Sequence, residues 1–420
     1  MSPVRPTVQV VGARLDPVAH ELRDLLTRAA QPYEWLETGS PEASALLAGL
    51  DVAEPALPLV VDGDSILTGM TARGLADAWK LTAPPKRSHY DFAISGAGPA
   101  GLAAAVYAAS DGLSTIVLER DLPGGQASHT SLIENFFGFP DGIGGAELAR
   151  LAGRQAERFG AEVMVLRGVA AGEHRGDVTR IELDGGAEIT ASVVLAAPGM
   201  VWRRLEANGL DDLLDRGVYY GAGRSEAARC KDEDVVVIGA GNSAGQAVIN
   251  MANAGARVKM LVRAAALGKT MSAYLVDRIR DCAAIEVRLQ TELTAAHADG
   301  DRLSRVSVRS ANGSDETFPA SAVFVCIGGR PRTDWAAGAG VETDRGGYIL
   351  TGPDLLRDGR RPEGWPLDRD PLALETSIPG LFAAGDARHG STKRVAGAVG
   401  EGAMAAALAF RRLAELDVSA

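Results

Sequence analysis

The 420 residues, 46% of them hydrophobic and 23% charged, are too many for one ordinary domain and too apolar for wholesale disorder. A net charge of −11 repels phosphate backbones and anionic lipid, which argues against nucleic acid or a membrane as partner. Three widely and irregularly spaced cysteines, Cys230, Cys282 and Cys326, suggest neither a disulfide framework nor a metal site, so a reducing cytoplasm is expected. The first predicted element is the buried strand TVQVVG (7–12). Asp16-Pro17 opens a helix with Val18, Leu22, Leu25 and Leu26 on one stripe. PYEWLE is a short strand, and SPEASALLAG a helix with Ser40 as N-cap. PLVVDGDSILTG is a hairpin turning at Asp62-Gly63, and TARGLADAWKL a closing helix.

This β-α-β-α-β-β-α order over residues 1–81 resembles the thioredoxin/glutaredoxin fold, with Pro58 at the place of that family's cis-proline. The family's Cys-x-x-Cys would fall near Arg14–Pro17, where no cysteine stands. A thiolate is needed for dithiol exchange, so this segment is expected to bind or cap rather than react.

TAPPKRSH (82–89) is a linker. Beyond it the chain repeats a strand, a glycine turn and a small-residue helix, in YDFAISGAGPAGLAAA (90–105) and DVVVIGAGNSAGQAVI (234–249). Two copies imply two Rossmann-type dinucleotide sites. In the first, Gly96, Gly98 and Gly101 form G-x-G-x-x-G: a tight turn, a close approach to pyrophosphate, and close packing of the helix that begins at Pro99 and Ala100. LSTIVLER (113–120) brings Glu119, with Arg120 beside it, to a strand end about 20 residues on, where a carboxylate accepts ribose hydroxyls.

Further motifs carry a specific resemblance. GGQASHTSLIENFFGFP (124–140), TSIPGLFAAGDARHG (376–390) and KRVAGAVGEGAMAAALA (393–409) occur in the order found in low-molecular-weight thioredoxin reductases, and the likeness runs over about 90–415. It implies FAD contacts at Gly125, Gln126, Asn135, Gly385, Asp386, Lys393, Arg394 and Val395, the Val395 N–H facing the flavin pyrimidine edge.

The second turn, Gly239-Ala240-Gly241-Asn242-Ser243-Ala244, is the G-x-G-x-x-A form common for a nicotinamide nucleotide. Its following strand ends in Arg263 rather than a carboxylate, with Lys269 nearby, which selects the 2′-phosphate of NADPH over NADH. The alternative is a solvated Arg263 in an enzyme that accepts both.

The family's redox Cys-x-x-Cys precedes this turn, and here its positions fall on Gly221 and Arg224. The implied enzyme takes hydride from NADPH onto FAD and passes electrons to an acceptor other than an internal dithiol: a small molecule, a quinone, an iron–sulfur protein or oxygen. Arg224 either attracts an anionic acceptor and steadies reduced flavin, or pairs with Glu226. His129, near the flavin segment, is a candidate proton donor or a structural histidine. Two other readings stand: disulfide reduction through a partner's thiols, and a nucleotide-responsive scaffold with little turnover.

The expected fold is α/β. Two Rossmann-like, three-layer ββα domains, for FAD (90–200 and 330–420) and for NADPH (204–327), join an N-terminal thioredoxin-like domain. Ala197-Pro198-Gly199 and Gly328-Gly329 are the expected hinge crossings. The long segment 353–372, with Trp365, covers the flavin pocket or a dimer interface, or is a surface excursion. The resemblance implies a homodimer. No secretory leader and no run of ~18 apolar residues is seen.

Overall fold

The computed structural model describes residues 8–50, 55–79, 83–221, 224–227, 229–268 and 271–419. The N-terminal unit contains β1 (Val8–Gly12), α1 (Pro17–Arg28), β2 (Tyr33–Glu37), α2 (Pro41–Gly49), β3 (Leu59–Asp62), β4 (Ser65–Leu67) and α3 (Ala72–Ala78). The sheet order is β2-β1-β3-β4, with β1 parallel to β2 and antiparallel to β3. Each helix starts where a short polar side chain satisfies a free backbone N–H. Asp16 accepts from the Ala19 N–H at 2.9 Å, Ser40 from Ala43 at 3.1 Å and Thr71 from Gly74 at 2.9 Å. Pro17 and Pro41 occupy the first helical positions, where a missing N–H costs nothing. The Leu57–Pro58 peptide, just before β3, is cis. Val8, Val10, Leu22, Leu26, Val60 and Leu75 fill the core, together with Leu122 from outside the unit.

The first glycine turn belongs to β5 (His89–Ser95), α4 (Pro99–Ser110), β6 (Thr115–Leu118), α5 (Gly145–Arg158), β7 (Glu162–Met164), β8 (Val169–Arg175), β9 (Val178–Leu183) and β10 (Glu188–Ala196). Their sheet runs β7-β6-β5-β10-β9-β8. TIVL in β6 and SVVLA in β10 are continuous apolar runs because helices or strands cover both faces.

The chain then crosses through β11 (Met200–Trp202) into β12 (Val218–Tyr220), α6 (Arg224–Ala227), β13 (Asp234–Ile238), α7 (Asn242–Asn253), β14 (Arg257–Val262), α8 (Ala273–Asp281) and β15 (Ile285–Leu289). β16 (Thr291–Asp299), β17 (Arg302–Ser310), β18 (Asp315–Pro319) and β19 (Ala322–Val325) follow. The second parallel sheet is ordered β12-β19-β13-β14-β15, with β16-β17-β18 as an antiparallel layer beside it. The return crossing, β20 (Gly329–Pro331), pairs antiparallel with β11, so the two crossings hold each other. β21 (Leu381–Ala383) rejoins the first sheet beside β10, and α9 (Val395–Ser419) packs on α4. The second sheet is thus an insertion into the first.

The segment 353–372 is tied down away from the glycine turns. Arg369 bonds Glu375 at 2.6 Å and Glu415 at 2.9 Å, and the Trp365 indole donates to the Arg369 carbonyl at 2.7 Å. Of the three roles considered for this segment, covering the flavin pocket finds no support, since Trp365 is absent from the cavity lining described below and Arg369 ties the loop to Glu415 of α9. Among the described residues no helix is long and apolar enough to cross a membrane. No group of three metal-ligating side chains is found among them either.

Candidate active site

One cavity of about 1040 Å³ lies between the two parallel sheets and the N-terminal unit. Its floor is the turn from β5 to α4. Gly96 has a φ of +106°, and a Cβ there would lie 2.3 Å from the Ala197 carbonyl oxygen. Gly101 is equally constrained, since its Cβ would meet the Gly96 oxygen at 1.9 Å, and it lies behind the cavity wall. Gly98 differs: a Cβ there would touch nothing of the protein within 4 Å, because the cavity is above it. Pro99 and Ala100 begin the helix at this floor, pointing its free N–H groups into the space.

At the end of β6 the Glu119 carboxylate is buried and accepts from the Ala97 N–H at 2.7 Å and the Asp121 N–H at 2.9 Å. Burial pushes its pKa up, against the pull of those two N–H groups. Arg120 lines the cavity beside it. Arg332, which sequence reasoning missed, reaches the same rim from beyond β20, with its Nε buried and without a hydrogen-bond partner. Burial and the nearby Arg120 lower its pKa. An unpaired buried donor beside a ribose-type carboxylate fits an anionic dinucleotide.

Gly125, Gln126, Gly385, Asp386, Lys393, Arg394 and Val395 line the same space. The Gln126 amide donates to the Met200 carbonyl at 3.3 Å. Lys393 donates to the Asp386 carbonyl oxygen, leaving the Asp386 carboxylate toward the cavity with its pKa raised by burial. Glu401, also missed, holds the turn before α9 by accepting from the Gly385 N–H at 2.7 Å and from Arg388 at 2.8 Å. Asn135 is not part of the cavity lining; it follows Ile133, which pairs with Ile143.

His129 is in the outer wall, 3.8 Å from Asp24 and edge-on to Trp202. Burial lowers its pKa, so it is neutral at pH 7. His20, Asp24 and Arg28 of α1, with Asp215 and Tyr219, complete this wall. Their positions in the sequence carried no motif.

The second turn meets the cavity through Ser243. Gly239 is packed tightly, a Cβ there falling 2.3 Å from the Cys326 oxygen, whereas Gly241 faces open space. Ala244 is buried in the core of the second sheet. The Asn242 side chain is engaged elsewhere, donating to Ser272 Oγ at 3.0 Å and accepting from the Ser272 N–H at 2.8 Å. Its expected nucleotide contact is therefore limited to its backbone. Arg263 is exposed past the end of β14, outside this cavity. Lys269 lies outside the described residues, as does the side chain of Arg224. Glu226, the pairing partner considered for Arg224, bonds Arg23 and His20. Among the described residues no cysteine lines the cavity: Cys230 and Cys326 are buried, and burial pushes both thiols up to about 12.

With one open glycine turn and an anion-ready rim on the cavity, and a second glycine turn reaching it through Ser243, the architecture is that of a two-nucleotide oxidoreductase. Residues 90–402 match the pyridine nucleotide-disulphide oxidoreductase family, and the chain belongs to that family. It is similar to thioredoxin reductase of Listeria innocua, 31% identical over 330 residues, 78% of this chain and 95% of the relative. It is 30% identical over 350 residues to an alkyl hydroperoxide reductase component of Pseudomonas aeruginosa, covering 82% of this chain but only 61% of that relative. Lactococcus lactis thioredoxin reductase in its FR conformation superposes with a TM-score of 0.69, at 28% identity, over 78% of this chain and 99% of that one. FAD and NADPH are the cofactors of the thioredoxin reductases, and the chain is an enzyme of that lineage.

Proposed function

We propose that this protein is an NADPH-dependent FAD oxidoreductase of thioredoxin reductase-like architecture that serves an acceptor without an internal dithiol. One observation carries the reading: the first glycine turn, Asp386, Val395 and, from the second turn, Ser243 border a single cavity, and among the described residues no cysteine lines it. Bound together, NADPH and FAD supply a hydride-transfer couple. The chain's own work is to hold them. Gly98 and the start of α4 take a pyrophosphate, Glu119 a ribose, Asp386 a ribityl chain, and the first turn of α9 faces the flavin pyrimidine edge. Ser243 and the Gly241 turn seat the nicotinamide nucleotide, with Arg263 at its 2′-phosphate. His129, neutral and beside Asp24 in the cavity wall, is the candidate proton relay in this reading: it must take up a proton before it can pass one to the acceptor.

Residues 1–81, 90–200 with 330–420, and 204–327 are three domains in this reading, the first a thioredoxin-like fold without its cysteine pair. Gly221 and Arg224 stand where the relatives' dithiol would be. The acceptor is a small molecule or a protein, the enzyme a cytoplasmic homodimer, and neither nucleic acid nor a membrane is a partner.

A second reading, disulfide reduction with a partner's thiols, is favoured by the relatives named thioredoxin reductase. Rapid mixing of the yellow protein with NADPH and with NADH, followed by candidate acceptors, separates the two. Fast bleaching by NADPH and re-oxidation by a quinone, unaffected by alkylation, is expected. A colourless protein that cannot be reconstituted, or turnover that requires a disulfide and free thiols, would overturn the proposal.

A further inference from the structure

Helix α1 is bonded to both glycine-turn layers at once. Toward the first, Arg28 pairs with Asp121 at 2.8 Å and its Nε donates to Ser128 Oγ at 3.2 Å. Leu122, next to Asp121, is inserted in the core of the N-terminal unit. Toward the second, Arg23 and His20 both reach Glu226 of α6 at 3.1 Å, and His20 also lies 3.4 Å from Asp215. Arg14, just before α1, makes a two-pronged bond to Glu233 at 2.8 and 3.0 Å. Arg23 and Glu226 are 0% and 1% exposed. Trp35 of β2 lies against two guanidiniums, Arg23 at 4.5 Å and Arg229 at 5.0 Å. The two layers also touch directly, through the exposed Arg278–Glu134 pair and the Gln246 bond to the Leu132 carbonyl.

We propose that the N-terminal unit is a built-in occupant of the surface around α6, and that α1 holds the second glycine turn in the orientation that turns Ser243 toward the cavity. A charged side chain without exposed surface cannot lose its partner cheaply, so the Arg23–Glu226 contact persists. The inserted Leu122 fixes the other end of the same helix. Rotation of one layer against the other must break one of these attachments. Conformational freedom at Gly199 and Gly328 is therefore suppressed by a third body. Helix α1, which follows Arg14–Pro17, and the short α6, which opens at Arg224, meet through His20, Arg23 and Glu226. Resting on the reading that these are the two lost dithiol positions, the interface has become a fixed ionic joint that leaves no room for a separate thioredoxin-fold partner.

Spin labels at exposed Arg175→Cys in β8 and Arg280→Cys in α8, in a Cys282→Ser background of the FAD-loaded full chain, report the orientation of the layers. One narrow distance is expected, unchanged by NADPH. The variant Arg14→Glu, at the half-exposed end of the joint, is expected to broaden it, and Arg14→Glu with Glu233→Arg to restore it. A wild-type distance that is bimodal or moves on adding NADPH would overturn the proposal, as would a broadening that the charge swap fails to rescue. Added thioredoxin separates the underlying reading: if it binds the wild type while the distance stays single, the clamp stands and the assignment of α6 as the old dithiol position falls.

Discussion

Arg23 meets Glu226 across 203 positions of sequence, and neither side chain reaches water. Burial alone would raise the Glu226 pKa, but the His20 hydrogen bond and the charges of Arg23 and Arg229 outweigh it and hold the carboxyl down at about 2. The unfolded chain protonates first, near pH 4.3, so this stabilisation is complete above that pH and is lost as pH falls toward 2. Docking of the N-terminal unit, followed by hydrogen exchange of residues 17–28, is expected to weaken in that window, by roughly 3 kcal/mol in all. Glu226→Gln removes the charge without changing the shape and leaves the buried Arg23 without its counter-charge. A urea titration is expected to show a loss of about 3–5 kcal/mol. The glycines make a contrasting pair. Gly96→Ala forces a methyl onto the Ala197 oxygen and should yield unstable, flavin-free protein. Gly98→Ala strains nothing in the protein, so apo stability is expected to stay within ~0.5 kcal/mol while visible flavin absorbance per chain falls.

Elements built on local rules were legible in the sequence. The glycine turns declare themselves because only glycine meets two demands at once, a positive φ at Gly96 and a carbonyl within 2.3 Å of its Cβ position. The helix starts at Asp16, Ser40 and Thr71 follow from short polar caps, two of them ahead of proline. The hairpin follows from the same turn chemistry, although Asp62 pairs with Ser65 and the turn is Gly63-Asp64, one residue later than the sequence suggested. What stayed hidden were the groups that reach the cavity from segments without a motif. His20, Asp24 and Arg28 look like the solvated face of an amphipathic helix, and Arg332 like a loop charge. Their roles depend on docking, which no local period encodes. Arg263, just past the end of β14, is the converse, a residue singled out by pattern that the fold leaves exposed and outside the cavity. Arg263→Ala is expected to raise the KM for NADPH roughly 10-fold or more with NADH unaffected, as for a lost charge-assisted phosphate contact. Equal losses for both nucleotides would remove its assignment as the 2′-phosphate residue.

At the scale of the molecule, no thiol among the described residues lines the cavity, although the buried Cys326 lies directly behind Ser243 of its wall. Cys230 and Cys326 are buried with thiols near 12, and Cys282 is at the end of α8 in the second layer. Exhaustive alkylation of the folded protein is expected to modify Cys282 and leave the rate of flavin bleaching by NADPH within twofold of the untreated enzyme.

Leu122 gives the N-terminal unit a consequence for any attempt to dissect the protein. A chain begun at Lys86 would keep both nucleotide turns yet strand this leucine on the surface and take from Asp121, Asp215, Glu226 and Glu233 their partners in the leading unit. Such a fragment is expected to elute as soluble aggregates on gel filtration, and Leu122→Ser within the fragment to return part of it to a defined species. The leucine and the first 79 residues thus behave as lock and keyhole: a shortened descendant of this enzyme, natural or engineered, must trade that one apolar side chain for a polar one before it can dispense with its leading unit.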